Sequence, residues 1–374
     1  MAPRLSDRQR LTWLRLIRTP NVGPASFRDL INRFGSAETA IEMLPELTAR
    51  GGGRRTARVP SLAEAEAEVA AAARCNARFV AVGEADYPRL LAAMDHPPPV
   101  VAVAGDAAVF ALPAVSIVGA RNASLAGLKM TKMLAGALGR HGWAVVSGLA
   151  RGIDTAAHEA SLETGTVAVL AGGLDRPYPP QNTDLLDRIV STGGAVLSEM
   201  PFGWEPRAQD FPRRNRLIAG LGLGLVVVEA AERSGSLITA RLAGEIGRAV
   251  FAVPGSPLDP RAAGANGLLK QGATLVTDPH DVLEHLTPMA GRPAPPQPAL
   301  EEPIDFGAAP PRSESEQERL IEALGPTPIP IDELIRHTGL HPATVFMILL
   351  ELDLAGRLER HSGGAVSLLP AGLA

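Results

Sequence analysis

The stretch Asp210-Phe-Pro-Arg-Arg-Asn-Arg-Leu-Ile-Ala-Gly220 precedes the apolar run Leu225-Val-Val-Val and indicates the class of fold. Pro212 is tolerated in a first helical turn, and Leu217, Ile218 and Leu221 follow at helical spacing. The apolar run has the length and composition of a buried strand. A helix followed by a buried strand is typical of an α/β fold.

Three arginines lie near the start of this predicted helix, next to an aromatic residue. We expect Arg213, Arg214 and Arg216 around the helix N-terminus, where unpaired N–H groups and the helix dipole favour anions. The guanidinium group suits bidentate phosphate recognition, and Phe211 adds a ring beside the charges. The pattern predicts an anion-binding site, and the alternative is that these arginines form ordinary surface ion pairs.

Short β-branched runs separated by glycines extend over the middle of the chain. They are Phe79-Val-Ala-Val, Val100-Val-Ala-Val, Ser116-Ile-Val, Ala144-Val-Val, Val167-Ala-Val-Leu, Ala195-Val-Leu, Leu225-Val-Val-Val, Ala249-Val-Phe-Ala-Val and Thr274-Leu-Val. Helical segments separate most of the runs, and the runs are continuously apolar, as in strands covered on both faces. We therefore predict a Rossmann-like domain over residues 76–287, with a doubly wound, mostly parallel sheet.

The first 75 residues predict a small helical domain. Helical patterns cover Leu11-Thr-Trp-Leu-Arg-Leu-Ile, a second helix with Phe27 and Leu30 on one face, and a third that starts at Gly35-Ser36. This module resembles a helix-hairpin-helix or sterile-alpha-motif domain, with Val22-Gly-Pro24 as the hairpin turn. Such turns contact DNA backbone through their amides, but a bundle that contacts only protein is an equal alternative.

The end of the chain predicts a linker and a third domain. Residues 288–313 are rich in Pro and Ala, as in a semi-extended linker. Residues 314–374 show three helical segments and a Gly363-Gly364 turn, the pattern of a winged-helix domain. This segment contains nine acidic residues and four arginines. Its negative net charge opposes contact with phosphates and favours a protein-contact role.

Composition limits the class of protein. The chain has 374 residues, of which 46% are hydrophobic and 20% charged, as in soluble proteins of two or three domains. No apolar run reaches the ~18 residues of a membrane helix, and no signal-peptide pattern opens the chain, so we expect a cytoplasmic protein without membrane contact. Cys75 is the single cysteine, which excludes an intramolecular disulfide and a thiolate metal cluster. The net charge of −4 means that any nucleic-acid site must be a local basic cluster.

The loops that follow the predicted strands suit phosphates. Ligands of such sheets bind beyond the carboxyl ends of the strands. Gly119-Ala-Arg121 follows one strand, and Ser147-Gly-Leu-Ala-Arg-Gly-Ile-Asp154, whose Asp154 we expect to cap a helix, follows the next. Ser234-Gly-Ser236 is a hydroxyl-rich helix start. Together with the arginine helix, these loops predict a ligand with several successive phosphates.

These motifs, in order over residues 80 to 285, resemble the DNA-processing protein A (Smf) family. Ser198-Glu-Met-Pro, Phe211-Pro-Arg-Arg-Asn-Arg-Leu-Ile-Ala-Gly-Leu and Val253-Pro-Gly add to the resemblance. The resemblance implies an extended Rossmann domain, a homodimer and a non-enzymatic single-stranded DNA-binding protein. It also implies protection of incoming strands in natural transformation and loading of the RecA recombinase. The implied DNA-binding residues, with Arg214 added from the arginine cluster, are Gly119, Arg121, Ser147, Gly148, Phe211, Arg213, Arg214, Asn215, Arg216, Ser234, Gly235 and Ser236.

One position departs from the family pattern. Family members often carry a basic residue shortly before the Phe, whereas Ala208 and Gln209 stand here. Arg207 is the candidate substitute for that contact.

The alternative function is a nucleotide-cleaving Rossmann hydrolase, similar to phosphoribohydrolases. Glu229 and Glu245 are its candidate carboxylates, but the phosphate loop typical of those enzymes is replaced by Glu232-Arg-Ser-Gly-Ser-Leu-Ile-Thr239. Ser147, His158 and Asp175 form no recognisable triad, and no spacing predicts a metal or cofactor site. A transcription regulator acting through the winged helix is disfavoured by the acidity of that segment.

Two adjacent leucines are the feature of the sequence that predicts a dimer. Leu268 and Leu269 precede the final predicted strand and would leave an apolar edge in a helix. The family resemblance suggests that this edge forms the dimer, and RecA is a candidate to bind the same surface. The alternative is that both leucines pack under Val276.

Overall fold

The computed structural model of the protein describes residues 5–53, 58–291 and 314–369. The chain divides into two compact units. One is built on the described residues within 67–291, and the other combines those within 5–66 with those within 314–369. The predicted N-terminal and C-terminal domains therefore belong to one compact unit. Most of the predicted linker, from residue 292 to 313, lies outside the described residues.

Four helices open the chain, as the sequence predicts for its first three and for the helix after Ser61. They are α1 (Asp7–Ile17), α2 (Pro24–Phe34), α3 (Ala37–Arg50) and α4 (Leu62–Arg74). The rings of Trp13 and Phe27 meet edge to face at 5.1 Å in the core of the bundle. Ser61 caps α4, because its hydroxyl accepts from the Glu64 amide at 3.2 Å while the Glu64 carboxylate accepts from the Ser61 amide at 2.8 Å.

All nine predicted strands form one sheet. They are β1 (Ala77–Ala81), β2 (Val100–Gly105), β3 (Ala114–Val118), β4 (Ala144–Ser147), β5 (Thr166–Val169), β6 (Ala195–Ser198), β7 (Gly224–Val227), β8 (Ala249–Ala252) and β9 (Thr274–Leu275). The order across the sheet is β1-β2-β6-β5-β4-β3-β7-β8-β9. β2 runs antiparallel to β1 and β6, and the other neighbours are parallel.

Helices connect these strands. They are α5 (Arg89–Ala92), α6 (Leu125–Arg140), α7 (Ile153–Ser161), α8 (Thr183–Ser191), α9 (Asp210–Leu221), α10 (Gly235–Glu245), α11 (Ala263–Lys270) and α12 (Pro279–Ala290). Buried residues such as Val145, Val226 and Phe251 form the core beneath them. The strand order reverses at β3, because β4 lies on one side of it and β7 on the other. Such a reversal opens a crevice at the carboxyl ends of the strands.

The described end of the chain is the predicted winged helix. Its elements are α13 (Glu314–Ala323), β10 (Ile329–Pro330), α14 (Ile331–Thr338), α15 (Pro342–Leu354), β11 (Leu358–Arg360) and β12 (Ala365–Leu368). The strands pair in the order β10-β12-β11. Gly339 ends α14 in the left-handed conformation, with φ of 65°, and Gly363 and Gly364 turn the hairpin with φ of 73° and 71°.

The winged helix packs on the N-terminal bundle within the second unit. A Cβ atom added to Gly51, at the end of α3, would lie 2.0 Å from the Glu351 carbonyl oxygen of α15. Arg360 pairs with both Asp29 and Asp353 at 2.8 Å. The side-chain amide of Asn21, just before the hairpin turn, donates to the Leu354 carbonyl at 3.1 Å. The C-terminal end of α15, the third helix of the winged-helix domain, therefore contacts the N-terminal bundle.

No helix in the described ranges combines the length and the apolar character needed to cross a membrane.

Candidate functional site

A cleft opens at the carboxyl ends of β3, β4 and β7, where the strand order reverses. Its volume is about 750 Å³, and a smaller pocket of about 300 Å³ adjoins it. The cleft brings together eight of the twelve predicted DNA-binding residues, namely Gly119, Arg121, Phe211, Arg214, Asn215, Ser234, Gly235 and Ser236. Gly148 lines the smaller pocket. The motifs that the sequence places on separate loops thus converge on one site.

An aromatic and cationic cluster lies between the cleft and the pocket. The half-buried ring of Phe211 has the Arg121 Cζ at 5.4 Å and the Arg214 Cζ at 5.9 Å from its centroid. The ring of Tyr178, which is 48% exposed, meets Phe211 edge to face at 5.6 Å. Guanidinium groups and aromatic faces together offer both charge for phosphates and surfaces for bases.

Arg121 is the exposed cation of this cluster. It follows β3 on a tight turn, since a Cβ atom on Gly119 would lie 2.7 Å from Ile153 Cγ1. Gly152, with φ of 77°, lets the next loop approach the Ala120 carbonyl. Within the described part of the chain, no carboxylate lies within ion-pairing distance of Arg121. Its charge is therefore available to an anionic ligand.

Arg214 is buried and holds two loops together. Its Nη1 donates to the Gly148 carbonyl at 2.6 Å and to the Val169 carbonyl at 2.5 Å. Burial lowers the pKa of Arg214 to about 10, although the Asp154 carboxylate acts in the opposite direction. Arg214 thus fixes the loops after β4 and β5 and supports the Phe211 ring from within.

Asp154 braces a loop, and the prediction that it caps the following helix is wrong. Helix α7 starts after Gly152, which offers no side-chain cap. The Asp154 carboxylate instead accepts from the Gly148 amide at 3.1 Å and the Ala150 amide at 3.3 Å. Burial raises the pKa of Asp154, and the Arg214 charge opposes that rise. Ser147 is also turned inward, since its hydroxyl donates to the Ile117 carbonyl at 2.6 Å.

Arg213 and Arg216 do not line the cleft. Both pair with Glu199, which follows β6 and is 6% exposed. The Arg213 Nε lies 3.0 Å from one carboxylate oxygen, and the Arg216 Nη2 contacts the other. For these two arginines the structure supports the ion-pair alternative, because one buried carboxylate binds both guanidinium groups and its charge offsets one of the two.

The N-terminus of α10 forms the opposite wall of the cleft. The Ser234 hydroxyl caps this helix by accepting from the Ser236 amide at 3.3 Å. Nothing would contact a Cβ atom on Gly235 within 4 Å, so a ligand can approach the backbone there. Asn215 connects this wall to α9 by donating to the Gly235 carbonyl at 3.4 Å. A helix start with an open backbone favours a phosphate.

Several cleft residues were missed by the sequence-based prediction. Tyr178, Arg233 and Arg261 line the cleft, and Arg151 lines the smaller pocket. Arg261 pairs with Asp259 at 2.8 Å, whereas the exposed Arg233 has no carboxylate at ion-pairing distance among the described residues. Tyr178 lies in the loop after β5, and Arg233 lies next to the Ser234 motif after β7, so their positions after strands were the available signal.

The carboxylates required by a hydrolase are engaged elsewhere. Glu229 binds the N-cap residue of α6, since its carboxylate accepts from the Ser124 amide at 2.9 Å and from the Ser124 hydroxyl. Glu245 pairs with Arg241 at 3.6 Å. Among the described cleft-lining residues, Asp154 is the only carboxylate, and two backbone amides already bind it. The candidate carboxylates Glu229 and Glu245 and the cleft-lining Asp154 thus all make structural contacts.

The candidate triad is not assembled. His158 is fully buried, with Nδ1 at 2.8 Å from the Thr166 hydroxyl. Asp175 accepts from the Gly203 amide at 2.8 Å, and Ser147 bonds to a strand carbonyl. No group of three His, Cys, Asp or Glu residues suited to a metal ion occurs in residues 5–53, 58–291 and 314–369.

The predicted dimer residues lie at one edge of the sheet. Leu268 and Leu269 are half-buried on α11, next to the short edge strand β9. Leu275 of that strand is 49% exposed. Val276 is fully buried, so a role for the leucines in covering the core remains the alternative. The dimer stays a prediction.

Three family profiles match the chain in order. The profile described as DNA recombination-mediator protein A matches residues 78–287. The DprA-like N-terminal HHH domain matches residues 7–71, and the DprA winged helix domain matches residues 292–364.

Individual relatives agree with these profiles. Protein Smf of Escherichia coli (strain K12) is 39% identical over 284 residues, covering 75% of this chain and 74% of that protein. The DNA processing protein DprA of Streptococcus pneumoniae (strain ATCC BAA-255 / R6) is 45% identical over 199 residues, covering 53% and 70%.

Solved structures are similar to the chain as well. The X-ray structure of DNA processing protein A from Streptococcus pneumoniae superposes with a TM-score of 0.57 at 34% identity, over 75% of this chain and 93% of that one. A second similar structure is that of DNA processing protein A from Helicobacter pylori, which is described as giving insights into its unique single-stranded DNA binding mode. It superposes with a TM-score of 0.52 at 27% identity. That match covers 57% of this chain and 97% of the other.

Proposed function

The chain belongs to the DNA recombination-mediator protein A family, and on this basis we propose that it binds single-stranded DNA in the cleft above β3, β4 and β7. The similar proteins from Streptococcus pneumoniae and Helicobacter pylori are named for DNA processing, and the latter for single-stranded DNA binding. We place this chain in the same role, as a cytoplasmic protein of natural transformation and recombination that works by binding and without catalysis.

The cluster around Phe211 is the observation that carries this proposal. Arg121 and Arg214 lie over the ring, and Tyr178 meets its edge. A single strand presents both phosphates and unpaired bases, and the cluster offers a partner to each. In a duplex the bases stack on each other and cannot reach Phe211, so the site favours single strands.

The finer steps follow from the family and from the edge of the sheet. We infer that the bound strand is protected from nucleases and passed to the RecA recombinase. We also infer that two copies join through Leu268 and Leu269, so that two clefts bind one long strand. Neither step requires a cofactor or a metal.

Competition between two forms of one sequence tests the proposal. A labelled single-stranded oligonucleotide is bound to the full chain and displaced by the unlabelled single strand or by its duplex. We expect the single strand to compete at least tenfold better, an estimate from about 1–3 kcal/mol per stacked base. Equal competition by duplex would contradict the proposal, as would release of free base from nucleoside monophosphates.

A further inference from the structure

A tryptophan and an arginine lie at the surface just before α9. Among the three tryptophans of the chain, Trp13 and Trp143 are 2% and 4% exposed, whereas Trp204 is half-buried. The Cζ of the exposed Arg207 lies 4.8 Å from the centroid of the Trp204 ring. A guanidinium group layered on an aromatic ring provides a flat surface of the kind on which unpaired bases stack.

One buried carboxylate fixes both residues. The Asp210 Oδ2 accepts from the Trp204 Nε1 at 2.9 Å and from the Arg207 amide at 2.8 Å. Asp210 is 5% exposed and is the first residue of α9. Because Phe211 follows it directly, the same helix start positions both Phe211 and the Trp204–Arg207 pair.

The loop that carries Trp204 is held along its backbone. The Trp204 carbonyl accepts from the Gly173 amide at 3.0 Å. The Asp175 carboxylate accepts from the Gly203 amide at 2.8 Å. These bonds hold the indole in place before any ligand arrives, which lowers the entropic cost of binding.

The charge of Arg207 is not neutralised by its surroundings. In the described ranges no carboxylate lies within ion-pairing distance of its guanidinium group. Glu205 is the nearest acid in the sequence, and its carboxylate pairs with Arg176 at 3.4 Å. Arg207 can therefore contact an anionic strand without breaking an existing ion pair.

We propose that Trp204 and Arg207 form a second stacking site, which takes one unpaired nucleobase beyond the nucleotides in the cleft. The proposal rests on the proposed function. Ala208 lines the cleft, so the pair lies one residue from its rim. The base stacks on the guanidinium group and extends the layer that Arg207 and Trp204 already form. Stacking tolerates every base, so the second site adds affinity without sequence preference.

Oligothymidylates of increasing length test the second site on the full chain. Arg207→Ala is expected to bind short oligonucleotides normally and to lose about fivefold or more in affinity for longer ones, as for one stacked base. Arg207→Lys, which keeps the charge but not the planar group, is expected to lose affinity as well. Arg140→Ala is the matched control, because Arg140 is also exposed but ends α6 at the opposite edge of the sheet.

Intrinsic fluorescence gives an independent readout. Saturating long oligonucleotide should change the tryptophan emission of the wild type, and this change should vanish in Trp204→Phe. The second site is overturned if Arg207→Ala matches Arg140→Ala at every length, if Arg207→Lys restores full affinity, or if the emission is unchanged. If any of these results occurs while Arg121→Ala still loses single-strand affinity, the second site is wrong but the proposed function is retained. Failure of the wild type to bind single strands would overturn both.

Discussion

Phe211 separates binding from folding most cleanly among the cleft residues. Its ring is half-buried and is covered by two guanidinium groups rather than by the hydrophobic core. We expect Phe211→Ala to lose about 1–3 kcal/mol of single-strand binding, with little change in melting temperature. Phe110→Ala is the control, since Phe110 is also half-buried but follows β2, whose carboxyl end lies at the other edge of the sheet. A large drop in melting temperature for Phe211→Ala would instead show a core residue.

The buried His158 is expected to make the free energy of unfolding depend on pH. Burial lowers the pKa of His158 to about 3, with the Arg214 charge acting in the same direction. Below about pH 6.5 the unfolded chain takes up a proton that the folded chain excludes, so the free energy of unfolding falls as the pH falls toward 3. The limiting slope is about 1.4 kcal/mol per pH unit.

Urea unfolding of the wild type and His158→Gln between pH 7 and pH 4 measures this effect. The loss on acidification should be smaller in the variant, because glutamine does not titrate. The raised pKa of Asp154 acts in the opposite direction in both proteins and cancels in the comparison. Equal loss in both proteins would show that His158 does not remain neutral.

The three arginines of α9 show what the sequence could not predict. Their proximity to Phe211 in the sequence predicts one anion-binding cluster. In the helix, however, Arg213 and Arg216 are three residues apart and share a face, while Arg214 points to another. The buried Glu199 that pairs with Arg213 and Arg216 follows strand β6, and no local pattern shows that pairing. Arg121, whose position after a strand was correctly predicted, lines the cleft as expected.

The strands were predictable because buried strands are short, continuous and apolar. All nine predicted runs form strands, from Phe79 to Thr274. Their direction was less accessible, since an apolar run reads the same in a parallel and an antiparallel strand. β2 is antiparallel to both neighbours, which is a consequence of the connections to β1 and β6 rather than of its own residues.

Helix α11 and strand β9 carry the prediction for assembly. If Leu268 and Leu269 join two copies, replacing both with Glu places charges in an apolar contact and should give a folded monomer. Light scattering gives the mass, and circular dichroism reports the fold. The control is a variant in which Leu125 and Leu258 are both replaced with Glu, which should leave the mass unchanged. These leucines are 85% and 93% exposed, and Leu258 lies in the loop after β8. An unfolded Leu268/Leu269 variant would support packing under Val276, and an unchanged dimer would refute this interface.

The sequence does not predict that the winged-helix domain packs on the N-terminal bundle. Each domain has its own helical pattern, but Asp29 and Arg360 lie more than three hundred residues apart, and no periodicity connects them. The acidity of the winged-helix segment favours a protein contact for it, and the N-terminal bundle packs against the C-terminal end of its third helix.

Gly51 tests whether these domains act as one unit. Gly51→Ala would place a Cβ atom 2.0 Å from the Glu351 carbonyl, so we expect a clear loss of thermal stability in the full chain. Gly23→Ala is the matched control, since its Cβ atom would meet no atom closer than 3.9 Å. Single-strand affinity should be unchanged in both variants. Equal melting of the two variants would show that α3 and α15 pack loosely, and lost affinity would show that the second unit contributes to DNA binding.

The salt dependence of single-strand binding tests the cleft most directly. Affinity for one oligothymidylate is measured from low to moderate salt for the wild type, Arg121→Ala, Arg233→Ala and Arg140→Ala. Each phosphate contact contributes about 0.7 to the slope of log affinity against log salt for a single strand. We predict a slope smaller by about that amount in Arg121→Ala and in Arg233→Ala, and no change in Arg140→Ala. One common slope for all four proteins would contradict the assignment of the cleft as the DNA site.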